Sequence, residues 1–202
     1  MVIRLLLFQQ GQFLRFVLLF VLALIPFEGE CREISKDVFR LHILANSDSD
    51  ADQALKLKVR DAVIEAGNEF YSDVQTKEEA MKITKDNLQY FASVAYDTIT
   101  ANGYDYTVTA AVENVCFNTR YYGDVTMPGG YYDALQIKIG EAKGKNWWCV
   151  MYPSLCIGTS SAANFGEKLN SGQYNIVSSK SGYTVRFKVV EIYNSLIEFF
   201  RR

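Results

Sequence analysis

The stretch Phe39–Val63, FRLHILANSDSDADQALKLKVRDAV, constrains the fold most, because it carries a strand, a polar turn and an amphipathic helix in 25 residues. From Val38 to Ala45 the chain alternates, with Phe39, Leu41, Ile43 and Ala45 on one side and Arg40, His42 and Leu44 on the other, which predicts a strand with one buried face. Asn46–Asp50, NSDSD, reads as a turn and helix start. Its Ser and Asp side chains cap free amides, and its acids suit the positive end of a helix dipole. In the helix that follows, Leu55, Val59, Ala62, Val63, Ala66 and Phe70 form one stripe, while Lys56, Lys58, Arg60, Asp61 and Glu65 mostly face away.

The rest of the body alternates in the same manner. Thr76 and Glu79 have capping-box spacing and open a second helix, whose stripe is Leu88, Phe91, Ala92, Ala95 and Ile99 and whose stop is Asn102-Gly103. Strands are expected over 104–116, 131–139 and 147–152, punctuated by Gly129, Gly130, Gly140 and Gly144. Gly158–Tyr183 is rich in Ser, Gly and Asn and reads as a mobile excursion. Arg186–Arg202 reads as an amphipathic helix using Val189, Ile192, Tyr193, Leu196 and Phe200. These elements predict a single α+β domain over 36–202: a mixed sheet packed against two central helices and a C-terminal helix. At 202 residues, 49% hydrophobic and 22% charged, the chain can build that core unaided.

Residues 1–30 are of another kind. The apolar run Phe16–Phe27 follows Arg4 and Arg15 and precedes Glu28, Glu30 and Glu33. Twelve apolar residues suit a secretory signal better than a span of about 20. The charge asymmetry places Met1 in the cytoplasm and the body outside. No Ala-x-Ala cleavage site is present, so a cleaved signal and an uncleaved anchor both stay open, and a buried N-terminal core helix is the less favoured alternative. The net charge of −2 gives no basic face for nucleic acid.

All four cysteines, Cys31, Cys116, Cys149 and Cys156, follow the apolar run and would reach a disulfide-permissive compartment after export. Cys149 and Cys156 are spaced for a short closed loop worth about 2–3 kcal/mol; the alternative is two reduced, buried thiols. With one histidine and no CxxC, the chain lacks the ligands of a zinc site.

Searches for chemistry return little. HExxH is impossible with His42 alone. Gly158–Ala162 misses GxSxG by its last residue, and there is no SxxK or phosphate-binding glycine loop. Asp48, Asp50 and Asp52 imitate the start of a calcium loop, but Gln53 and Val59 stand where Gly and Glu belong, which favours helix capping. A nucleophile formed by Cys149 or Cys116 with His42 is the enzymatic alternative. Trp147 and Trp148, adjacent on a strand, point to opposite faces, so one can fill the core while the other anchors an interface; the competing arrangement packs both.

Three blocks carry a family resemblance: Phe39–Val63, Met127–Gly140 (MPGGYYDALQIKIG) and Gly144–Cys156 (GKNWWCVMYPSLC), with a fourth shorter block at Val185–Glu191 (VRFKVVE). Together they resemble the stage II sporulation protein R family of endospore-forming Firmicutes. Ala51 and Asp52 depart from a more usual proline-containing turn. The resemblance implies a protein exported from the forespore into the space between forespore and mother-cell membranes. There it would trigger a membrane-embedded aspartic protease that removes the pro-sequence of a mother-cell sigma factor. It implies an activating ligand without catalytic residues or cofactor. No family residue set gives the partner surface; the candidates are Asn46, Ser47, Asp48 and Asp50 of the polar turn, with His42, Trp147 and Trp148.

Overall fold

The computed structural model describes residues 29–153 and 169–178, together with Gln12 and Arg15. The apolar N-terminal run, the partner thiol Cys156 and the expected helix over 186–202 lie outside the described residues. Among the described residues no helix is long and apolar enough to cross a membrane.

The fold is α+β, built on a mixed four-stranded sheet. Its strands are β1 (Phe39–Leu44), β2 (Val108–Phe117), β5 (Gly130–Ile139) and β6 (Asn146–Tyr152), in the order β2-β5-β1-β6. β1 runs parallel to β5 and antiparallel to β6, and β5 runs antiparallel to β2. β3 (Arg120–Tyr122) and β4 (Val125–Met127) form a separate hairpin. The helices are α1 (described over 29–37), α2 (Asp50–Tyr71), α3 (Lys77–Asp86), α4 (Leu88–Ala101) and α5 (Ser171–Val177).

Two cores lie on the two faces of the sheet. On the first, Phe39, Leu41 and Ile43 of β1 and Leu135, Ile137 and Ile139 of β5 meet Leu55, Val59 and Val63 of α2 and Phe91, Ala95 and Ile99 of α4. Full burial of such side chains stabilises by about 1.5–3 kcal/mol each, so the stripe read from 55–70 anchors the domain. On the second face, Tyr132, Ala134 and Val150 lie beneath Cys31 and Ile34 of α1, Val125 and Met127 of β4, and Ile176 and Val177 of α5.

This second core corrects the expectation that β1 buries one face. Arg40 is 0% exposed and His42 4% exposed, because α1, the hairpin and α5 roof the side that the alternation leaves polar. Lys56, expected to face away from the core, is also buried; its ammonium donates to Gln53 Oε1 at 2.6 Å and to the Lys145 carbonyl at 2.9 Å. The second helix is two. Thr76 opens α3 with the expected capping box, but the helix breaks at Asn87, whose side-chain amide donates to the Ile83 carbonyl. The Ser/Gly/Asn-rich segment also contains regular structure: Asn170 and Gln173 cap each other reciprocally and start α5.

Candidate functional site

The polar turn becomes a clasp. Ser49 caps α2 by accepting from the Asp52 amide at 3.1 Å. Asp52 accepts from the Asn46 amide at 2.9 Å and from the Ser47 hydroxyl, and the Ser47 contact, with Asn46, holds its carboxyl below the ordinary range. Asn46 Oδ1 accepts from the Glu141 amide at 3.0 Å, and Asp48 accepts from the Lys145 amide at 2.6 Å. The turn thus ties the start of α2 to the β5–β6 loop. Gly140 and Gly144 allow that approach: a Cβ on Gly140, whose φ is +55°, would meet the Asn46 side chain, and one on Gly144 would meet the Ser47 carbonyl. Asn46, Ser47 and Asp48 are engaged within the fold, while Asp50 is exposed. Among the described residues no cluster of His, Cys, Asp and Glu could hold a metal ion.

The two tryptophans split across the sheet, both half-buried. Trp147 packs against the helical core, with the Arg60 guanidinium 4.4 Å from its ring. Arg60, Asp61, Ile64, Glu65, Asn68, Trp147 and Cys149 line a groove of about 410 Å³ between α2 and β6. Trp148 lies on the other face and stacks on His42, with ring centroids 3.8 Å apart and planes 8° apart.

The strand registers make that second face a set of cross-sheet rows. Ala111, Gln136, His42 and Trp148 form one row. Glu113, Ala134, Arg40 and Val150 form the next toward the roofed end, and Thr109, Lys138, Leu44 and Asn146 the next toward the other end. Near the centre of the sheet Ala134, Arg40 and Val150 are buried, while Glu113 at the edge of that row is exposed; His42 and Gln136 are buried between half-buried neighbours, and in the last row Leu44 and Lys138 are half-buried and Thr109 and Asn146 exposed.

Arg40 sits in an aromatic cage. Its guanidinium carbon is 3.9 Å from the Phe117 ring centroid, 4.9 Å from Tyr132 and 5.9 Å from Tyr122. Its Nη2 donates to the Tyr122 hydroxyl at 2.6 Å and its Nε to the Cys149 carbonyl at 3.3 Å, and Tyr122 in turn donates to the Trp148 carbonyl. Burial pulls its pKa below the ordinary value, opposed by the two tyrosines. His42 Nδ1 contacts Gln136 Nε2 at 2.9 Å. Burial pulls the imidazole pKa down to about 4, and Lys138, Arg40 and Arg120 add to the effect. Asn146 lies near enough to favour the protonated ring but closes no hydrogen bond with Nε2. Arg40 Nη1, His42 Nε2, Gln136 Oε1 and Arg120 Nε are all buried without a hydrogen-bond partner.

This geometry does not assemble the Cys–His pair considered above. Cys149 is paired with Leu41 and belongs to the helical core. Cys116 lies between Val115 and Phe117, which both pack on the second face, so strand alternation puts it on the first. The sheet therefore separates both cysteines from His42. The Arg40–Arg120 cluster was invisible to motif reading; the available signal was two arginines spaced among Phe117, Tyr122, Tyr132 and Trp148.

The body is a mixed sheet with one helical face and one roofed, cation-bearing face, and no solved structure matches it. Residues 35–162 match the family model for stage II sporulation protein R, and the chain belongs to that family. The stage II sporulation protein R of Bacillus subtilis (strain 168) is 37% identical over 123 residues, covering 61% of this chain and 55% of that protein. The matched region thus spans little more than half the length of that relative.

Proposed function

We propose that this sporulation protein is an exported activating ligand. On this reading it leaves the forespore by its N-terminal apolar segment, which is either cleaved or kept as an anchor. It acts in the space between the two membranes and switches on a membrane-embedded aspartic protease, which then processes a pro-sigma factor. Membership of the stage II sporulation protein R family carries the reading. The placement of His42 supports it: the only imidazole in the chain is buried, neutral near pH 7 and stacked on Trp148, a poor position for a proton carrier.

Co-expression of this chain, the protease and the pro-sigma factor in a non-sporulating host tests the proposal. Processing should require both the chain and the protease, and His42→Gln should retain it at matched secreted levels. Complete loss in a folded His42→Gln variant that still binds the protease would return the histidine to a chemical role, where general base catalysis is worth about 10²–10⁴ in rate. Export also favours a Cys149–Cys156 bridge. Non-reducing peptide mapping of the exported protein should recover the two cysteines in one linked pair; labelling of both as thiols before reduction would disprove it.

A further inference from the structure

The two edges of the sheet are built differently. β6, at one edge, shifts register against β1 between Phe39 and Arg40 and runs into Pro153, and both features blunt an edge. β2, at the other, keeps unbroken register with β5 from Val108 to Phe117. It holds no proline, no lysine and one charge, Glu113. Thr109, Glu113 and Asn114 are exposed, and Val108, Ala110, Ala111 and Val112 are half-buried, so this stretch meets solvent.

Strand alternation fixes which backbone groups face outward. The Gly140 amide donates to the Thr107 carbonyl at 2.8 Å, which makes Thr107 and Gly140 a hydrogen-bonded pair. The register extends that pairing to Thr109, Ala111 and Glu113, opposite Lys138, Gln136 and Ala134. The N–H and C=O groups of Val108, Ala110, Val112 and Asn114 therefore point away from β5. Among the described residues no strand pairs with them. A long, regular edge of this kind is a template for another strand.

This edge is complementary to itself. Antiparallel pairing about a two-fold axis at Ala111 sets Ala110 opposite Val112 of a second copy, Val108 opposite Asn114, and Thr109 opposite Glu113. All four outward-facing residues then fall in hydrogen-bonded pairs, and Ala111 meets its own counterpart. Val108, Ala110 and Val112 pack on the helical core, so contacts between Ala110 and Val112 join the two cores. Charge selects this register. Lys138 lies beside Thr109, so Glu113 of each copy enters the row of the other's Lys138. Centres at Ala110 or Val112 move it out of that row, and a centre at Glu113 sets like charges face to face. The Lys138 side chain is 42% exposed and 4.0 Å from Glu113 of its own chain, within reach of both carboxylates.

We infer that β2 is a homodimer edge, at which two copies of this chain pair β2 with β2 about a two-fold axis at Ala111 and join their four-stranded sheets into one. The inference does not rest on the activator reading. It adds to it that the ligand presents two copies of its partner surface.

Cysteine cross-linking of the full chain in neutral detergent tests the register. Facing residues of a non-hydrogen-bonded antiparallel pair lie about 4.5 Å apart at Cα, within disulfide reach. Ala111→Cys should therefore give a linked dimer under mild oxidation, above any background in the parent. Thr109→Cys and Glu113→Cys should each fail to link alone and should link when mixed. Sedimentation in density-matched detergent reads the association itself. Ala110→Pro removes an outward N–H that β5 does not use, and Ala111→Lys sets like charges opposite each other. Each should raise the dimer dissociation constant about tenfold or more; should the proline variant fail to fold, the lysine variant carries the comparison. A parent that sediments as a monomer overturns the inference, as do a dimer that neither variant weakens and an absent Ala111→Cys link. Linking of Thr109→Cys alone would overturn the register. A monomeric parent whose Val108–Asn114 amides gain hydrogen-exchange protection on adding the protease would give the edge to that partner and overturn the second copy.

Discussion

Arg40→Ala is expected to cost about 3–5 kcal/mol of folding stability, the range for truncating a large, fully packed side chain. Arg40 is 0% exposed at the centre of the sheet, and its guanidinium fills the space between Phe117 and Tyr132. Truncation opens a cavity there and removes the donors to the Cys149 carbonyl and the Tyr122 hydroxyl. It also loses cation–π contacts, which are worth about 2 kcal/mol or more when desolvated. Opposing these losses is relief of the burial cost of a charge that has no carboxylate partner among the described residues. Arg40→Met separates the contributions. Methionine restores most of the volume and leaves Tyr122 its bond to the Trp148 carbonyl, so the expected cost falls to about 1–2 kcal/mol, chiefly the unpaired Cys149 carbonyl. Urea unfolding of the two variants reads the difference. Equal losses would mean that charge and hydrogen bonding, rather than packing, set the role of Arg40; a loss below about 1 kcal/mol for the alanine variant would mean that the cage stabilises nothing.

The elements legible in the sequence were those whose signal is local. β1 and α2 follow from period-2 alternation passing into a helical stripe at a Ser/Asp cap, and Ser49 caps α2 as that pattern requires. The opposite placement of Trp147 and Trp148 follows from strand geometry alone. The second face of β1 was not legible, because alternation marks two sides but not what covers each. Arg40 and His42 read as outward, and only the long-range arrival of α1, the β3–β4 hairpin and α5 buries them. The same limit hid the clasp: Asn46 and Asp48 announce a turn, but their bonds to the amides of Glu141 and Lys145 span nearly a hundred residues. The break at Asn87 has neither Gly nor Pro to announce it, and depends on a side chain competing for the Ile83 carbonyl. The start of α5 did carry a signal, Asn170 three residues before Gln173, masked by the loop-like composition around it.

Stability is expected to fall as pH drops from about 6.5 to about 4, with His42 responsible for up to about 3 kcal/mol of the change. The imidazole pKa lies near 4 in the folded chain, against an ordinary 6.5. A depressed pKa means that the unfolded chain binds the proton more tightly. The stabilising contribution of neutral His42 is therefore complete above pH 6.5 and is lost progressively as pH falls toward 4. Burial is the main cause: protonation would put a charge between Trp148 and Gln136, where Lys138, Arg40 and Arg120 already repel it. Lowered carboxyls such as Asp52 and Asp133 add their own acid lability, but it sets in as pH falls below their ordinary range near 4. The interval from pH 6.5 to 4.5 is therefore the window of the histidine. Urea midpoints measured across it should decline in the parent and stay nearly level in His42→Gln. An NMR titration of the single imidazole should show its midpoint close to 4. A midpoint near 6.5, or parallel stability curves for the two proteins across the window, would show that His42 meets solvent and that the roof over the second face does not hold it dry.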